Sequence, residues 1–91
     1  MLYAWMGFLK PDADPIPQAV QERINDFVAQ PLIKIRSFGP LHDAAGHRAG
    51  MLMIFEHDSR EDAERFVADS PFLRAGLYED HRLYEYANEV G

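Results

Sequence analysis

Residues Leu2 to Phe8 are apolar at nearly every position. Side chains alternate sides along a strand, which puts Leu2, Ala4, Met6 and Phe8 on one face and Tyr3 and Trp5 on the other. A strand apolar on both faces has to be covered on both. The chain has 91 residues, and a domain of that size buries only about 60–70% of its unfolded surface. Yet 47% of the residues are apolar or aromatic, among them six Phe, four Tyr, four Met and one Trp. That is rich for so thin an interior, and part of the apolar surface is expected to be covered by a partner.

The remaining segments say what supplies the first cover. Lys10 to Pro17 holds three prolines and two aspartates, a loop composition, with Asp14 suited to cap a helix and Pro15 to its first position. Ile16, Val20, Ile24, Phe27 and Val28 then recur at helical spacing and form one apolar stripe, which Pro31 ends. Leu32 to Phe38 alternates, with Ile33 and Ile35 opposite Lys34 and Arg36, and reads as a second strand with one wetter face. Gly39 to Gly50, with three glycines and a proline, reads as a hairpin connection to a third strand, Met51 to Phe55. Ser59 and Asp62 resemble a capping box ahead of a second helical stripe, Ala63, Phe66 and Val67. Ser70 to Gly76 opens a short turn or extra helical stretch. Glu79 to Tyr86 carries a last strand with Leu83 on one face and Arg82, Tyr84 and Tyr86 on the other.

The order is βαββαβ, without linker or repeat, so residues 1–91 are expected to form a single domain. Two right-handed crossovers joined by a hairpin give an α+β, ferredoxin-like fold: a four-stranded antiparallel sheet with two helices on one face. The other face stays bare. Tyr3, Trp5, Tyr84 and Tyr86 are expected on it, and an uncovered aromatic face of that extent is uncommon in a monomer. A second copy packed sheet to sheet would cover it, which makes a homodimer the expected state.

Composition removes several function classes. No cysteine is present, which leaves no disulfide framework and no Cys-based zinc or redox site. No apolar run approaches the ~20 residues of a membrane span, and Met1 to Lys10 lacks the features of a secretory signal, so a cytoplasmic protein is expected. The formal charge of −6 disfavours attraction to phosphate backbones, making nucleic acid an unexpected partner. His42, His47, His57 and His81 show no metal-ligand spacing, and no metal or organic cofactor is expected.

Met1, Leu2, Tyr3 and Ala4, then Gly39, Pro40 and Leu41 followed by Asp43, Gly46 and Gly50, then the stretch from Ser70 through Pro71, Phe72, Arg74, Gly76 and Tyr78 to Glu79, together resemble the YCII-related family. The ordered set, with its spacings, spans nearly the whole chain. The resemblance implies a dimeric α/β barrel in which two sheets pack face to face and enclose a cleft per subunit. It also implies an acid/base pair: a histidine in the first helix and an aspartate just before the proline of the C-terminal signature. This sequence departs at both places. Counting back from Gly39 without gaps puts Glu22 at the histidine position, and Ser70 precedes Pro71, with Asp69 one residue earlier.

A carboxylate can transfer protons if burial raises its pKa, so Glu22 and Asp69 are candidate acid/base groups beside the alternative that both are solvated surface residues. His42, directly after the Gly39–Pro40–Leu41 segment, is a third candidate, because imidazole exchanges protons near neutrality. Arg36 and Arg82 are cations at interior strand positions, able to pair bidentately with a carboxylate or, alternatively, with Glu79 or Glu85 across a dimer. Tyr3 and Trp5 could stack on an aromatic ring, and His81 could face the same cleft. Met6, Met51 and Met53 are expected core filler. The expected function is binding of a small aromatic or carboxylated metabolite in a dimer cleft, with the family's acid/base pair not retained. The alternative is a cofactor-independent lyase or isomerase using Glu22 or Asp69.

Overall fold

The structure is a computed structural model, and it describes residues 1–11 and 16–90. The elements run β1 (Leu2–Leu9), α1 (Gln18–Ala29), β2 (Ile35–His42), β3 (Arg48–Glu56), α2 (Arg60–Ala68), α3 (Pro71–Arg74) and β4 (Tyr78–Tyr86). The strands form one antiparallel sheet in the order β2-β3-β1-β4. This is the expected ferredoxin-like α+β arrangement, with α3 as a short third helix. The cap expected at Asp14 and Pro15 lies outside the described residues. Among the described residues α1 starts at Gln18, where the N–H groups of Val20 and Gln21 donate to the Pro17 carbonyl at 3.0 Å each.

The helices share one core with one face of the sheet. Ile24 of α1, Ala63 and Val67 of α2 and Phe72 of α3 pack with Tyr3, Trp5, Met51, Met53 and Phe55. The cap read in the sequence forms: the Asp62 N–H donates to Ser59 Oγ at 3.1 Å at the start of α2. Aromatic rings fill the layer, with Trp5 stacked on Phe72 at 5.3 Å and Phe27 on Phe66 at 4.8 Å between ring centroids. Burying a ring of this size contributes about 1.5–3 kcal/mol.

The expected placement of Tyr3 and Trp5 on the bare face is corrected by this core. Both are buried, with Trp5 at 0% exposure, and the residues turned away from the helices are Leu2, Ala4, Met6 and Phe8. Met6 is therefore not core filler, whereas Met51 and Met53 are. The reason is space. Gly7 lies on the same face as Tyr3 and Trp5, and a Cβ there would sit 2.6 Å from the Trp5 ring and 2.8 Å from the Tyr78 ring. The missing side chain at Gly7 leaves room for the Trp5 and Tyr78 rings, which meet edge to face at 5.4 Å between centroids.

The second strand is also displaced from its expected span of Leu32 to Phe38. Leu32 is 88% exposed, and the Gln30 side chain takes the local backbone groups, accepting from the N–H of Leu32 and of Ile33 at 2.9 and 2.7 Å and donating to the Ile33 carbonyl at 2.6 Å. β2 instead runs through Gly39 and Pro40 to His42. A proline is tolerated there because β2 is an edge strand with one side of its ladder unpaired. The true turn is Asp43 to His47. The Asp43 carboxylate accepts from the N–H of Ala45 and of His47 at 2.9 Å each, and Gly46 has the positive φ, +84°, that closes it. At Gly50 a Cβ would overlap the Gly7 carbonyl oxygen. The residues that carried the family resemblance in this segment thus hold the hairpin and its contact with β1.

Candidate functional site

The C-terminal end of β1, the start of α1 and the β2–β3 hairpin meet around a groove of about 910 Å³ lined by Leu9, Lys10, Pro11, Ile16, Gln18, Gln21, His42, Gly46, His47 and Arg48. Four of these side chains carry basic nitrogen: Lys10 from the β1 end, and His42, His47 and Arg48 from the hairpin. Among the described lining residues there is no carboxylate. Asp43 is occupied by its own turn, 3.9 Å from His47 Nδ1, and the backbone N–H donors of His47, Ala45 and Gly46, with the His47 ring, hold its carboxyl below the usual range. In a chain of formal charge −6, the described lining residues of the groove gather positive charge against the average.

Its neighbourhood includes one buried hydroxyl. Tyr78 packs edge-on against Trp5, 5.4 Å between centroids, and its OH has no hydrogen-bond partner among the described residues. Burial pushes that phenol up, and the Arg48 guanidinium pulls it partly back. Periodicity gives no sign that Lys10 and Arg48 line one groove, because nothing local to each segment shows that the β1 end and the hairpin come together.

The candidates read from the sequence are distributed over the molecule. His42 lies in the groove. Glu22 is exposed on α1 and accepts from Gln18 Nε2 at 3.4 Å, one residue removed from the groove wall. Asp69 is exposed at the end of α2, 3.4 Å from Arg74, beside a separate cleft between α1 and α3. Ser70 is buried, and its Oγ donates to the Val67 carbonyl at 2.6 Å. Both carboxylates are exposed in the single chain, and neither lines the groove.

Arg36 and Arg82 do lie on the sheet face turned away from the helices, as read, but each has a carboxylate of its own. Arg36 pairs with Glu56 at 2.6 Å and Arg82 with Asp80 at 3.3 Å. Tyr84 and Asp80 together raise the Arg82 guanidinium pKa further. Two strands, β3 and β1, separate the two arginines, and they do not converge. Tyr3 is closed off in the core, where burial and then the Glu85 charge push its phenol up. Trp5 is fully buried, and its indole nitrogen donates to His81 Nδ1 at 3.3 Å.

An antiparallel βαββαβ sheet with its helices on one side defines the class. The sequence matches the YCII-related domain over residues 1–87, and the chain belongs to that family. Among solved structures, the chain resembles the 5-chloro-2-hydroxyhydroquinone dehydrochlorinase of Burkholderia phenoliruptrix, in complex with 2,5-dihydroxybenzoquinone, at TM-score 0.68 and 22% identity, covering 96% of this chain and 94% of that one. Rv0793 of Mycobacterium tuberculosis is similar at TM-score 0.57 and 15% identity over 99% and 97% of the two chains. A Chloroflexus aurantiacus protein described as an antibiotic biosynthesis monooxygenase gives 0.53 and 12% over 100% and 98%. At these identities the likeness is one of fold. No curated protein matches the chain. Among the described residues no helix is long and apolar enough to cross a membrane, and no group of three or more His, Cys, Asp or Glu side chains is placed to hold a metal ion.

Proposed function

We propose that this YCII-domain protein is a homodimer that binds a small carboxylated, ring-bearing metabolite, without the family's acid/base pair. The observation that carries the reading is the convergence of Lys10, Arg48, His42 and His47 on one groove. Cations supply carboxylate recognition, Arg48 with a planar fork and Lys10 as a point charge, while Leu9, Pro11 and Ile16 offer apolar contact for the body of the molecule. A groove of about 910 Å³ is in the range of small-molecule sites.

The dimer rests on the sheet face turned away from the helices. Leu2, Ala4, Met6, Leu52, Ile54, Tyr84 and Tyr86 adjoin there across three strands, and Tyr84 and Tyr86 stay 49% and 39% exposed. A continuous apolar patch of this kind marks an interaction surface. Catalysis by Glu22 or Asp69 is not favoured, since both are exposed and neither lines the groove.

Thermal unfolding with benzoate, against equal concentrations of chloride, tests the ligand reading. Saturating benzoate at 100 times its Kd adds about 2.7 kcal/mol to stability. The rise in Tm should shrink in Lys10→Ala and in Arg48→Ala and vanish in the double variant. An undiminished rise in the double variant would overturn the assignment of the groove.

A further inference from the structure

A second pocket lies on the other side of the sheet's covered face, between β4 and α2, and its chemistry differs from that of the groove. Val67, Ala68, Leu73 and Leu83 form apolar walls around about 260 Å³, with Arg60 and Glu64 on one side and His81 on the other. The polar groups here are already committed in a defined way. Arg60 Nε donates to Glu64 Oε1 at 3.1 Å and Arg60 Nη2 donates to the Leu83 carbonyl at 3.0 Å. The guanidinium and the carboxylate neutralise one another, so the pocket offers no net charge to attract an anion.

His81 is held differently. Its Nδ1 accepts the indole N–H of Trp5 at 3.3 Å, with Trp5 itself fully buried. An imidazole whose Nδ1 is used as acceptor carries its proton, in the neutral form, on Nε2. That N–H is a donor on an exposed ring beside apolar walls, oriented by a residue the core cannot move. With the Arg60 guanidinium turned to Glu64 and to the Leu83 carbonyl, an oriented imidazole N–H in a pocket without net charge favours an oxygen acceptor on an apolar body.

We propose that the β4–α2 seam is a second small-molecule site, for an uncharged one-ring aromatic whose hydroxyl or carbonyl oxygen accepts from His81 Nε2–H. The charge arguments for the two sites are opposite: Lys10 and Arg48 favour carboxylates in the groove, and the Arg60–Glu64 pair leaves the seam neutral. The proposal does not depend on the dimer or on the groove.

The chain has one tryptophan, which gives the seam its own reporter. In a ¹H–¹⁵N correlation spectrum the single indole Nε1–H signal reads the bond to His81 directly. Titration with phenol should shift that signal saturably, while benzoate at the same concentration should leave it in place. Loss of one oriented hydrogen bond predicts binding weakened about tenfold in His81→Leu. His81→Gln, which offers both an acceptor to the indole and a donor to phenol, should restore most of it. Ala68→Leu, at an exposed helix position, should fill the pocket and abolish the phenol shift without touching His81. Lys10→Ala and Arg48→Ala should change none of these results. Absence of a saturable phenol shift in the wild type, equal binding in Ala68→Leu, or an equal response to benzoate would each overturn the proposal.

Discussion

The two faces of the sheet end in opposite states. On the helix side Tyr3, Trp5, Met51, Met53 and Phe55 are closed off completely. On the far side Leu2, Ala4, Met6, Leu52 and Ile54 are only half-buried by their neighbours, and Tyr84 and Tyr86 remain wet. The helix side sets large rings beside the gap at Gly7 and packs with Ile24, Val67 and Phe72, while the far side mixes its apolar residues with the Arg36–Glu56 and Arg82–Asp80 pairs. The first surface is specific to its own chain's helices, and the second leaves apolar residues open to a second sheet.

The largest effect should follow from breaking the helix side. Trp5 touches Phe72 and Tyr78 and holds His81, so Trp5→Ala leaves a cavity at the centre of the core. An aromatic-to-alanine change of this kind costs about 3–5 kcal/mol, a large share of the stability of a domain this small. Urea titration should show the midpoint fall accordingly. A loss of less than about 1 kcal/mol would mean that the helix layer is not where most stability resides.

The far side should break in the opposite manner, by losing association and keeping the fold. Ile54 is paired with Ala4, which pairs in turn with Tyr84, at the middle of the uncovered face. Ile54→Arg leaves the monomer's helix-side core untouched and, in the proposed dimer, brings two unpaired guanidinium groups into the interface. A buried unpaired charge costs about 3 kcal/mol or more, which corresponds to roughly 100-fold or more in the dimer Kd. Sedimentation should show a folded monomer where the wild type is a dimer. A wild type that sediments as a monomer at micromolar concentration would remove the dimer from the proposed function.

Most of the fold was legible because periodicity reports which residues share a face. It does not report which face is inside when both are apolar. That is why Val20, Ile24, Phe27 and Val28 of the helix stripe and the cap at Ser59 are where the sequence places them, while Ile16 of the same stripe lies ahead of α1 and Tyr3 and Trp5 lie on the opposite side from the one expected. The signal that decides the matter is Gly7, and its meaning depends on Tyr78, seventy-one residues away by their numbers. Edge position misled in the same way. Gly39 and Pro40 read as a turn, and only the order β2-β3-β1-β4 makes them strand residues. The groove was the least legible, with His42 foreseen but Lys10 and Arg48 not, since it exists only where the β1 end meets the hairpin.

The smallest expected effect concerns that hairpin, which belongs to neither face and shapes the groove. Asp43 accepts from the N–H groups of Ala45 and His47, and these donors, with Gly46 and the His47 ring, favour its ionised form and lower its pKa in the folded protein. A carboxyl whose folded pKa lies below its unfolded one, ordinarily about 3.9, adds stability above that unfolded value and loses it as pH falls through the lowered folded one. Asp43→Asn keeps an oxygen that can accept the same two N–H bonds but carries no charge at any pH. Wild type should therefore exceed the variant in stability at pH 7, and the two should converge as the pH falls through the lowered folded value. Because every other carboxylate titrates alike in both proteins, the difference between their urea midpoints isolates Asp43. Equal midpoints for the two proteins from pH 7 into the acid range would show that the turn needs the side-chain oxygen and not its charge. Charge in the hairpin would then matter at Arg48, on the groove side.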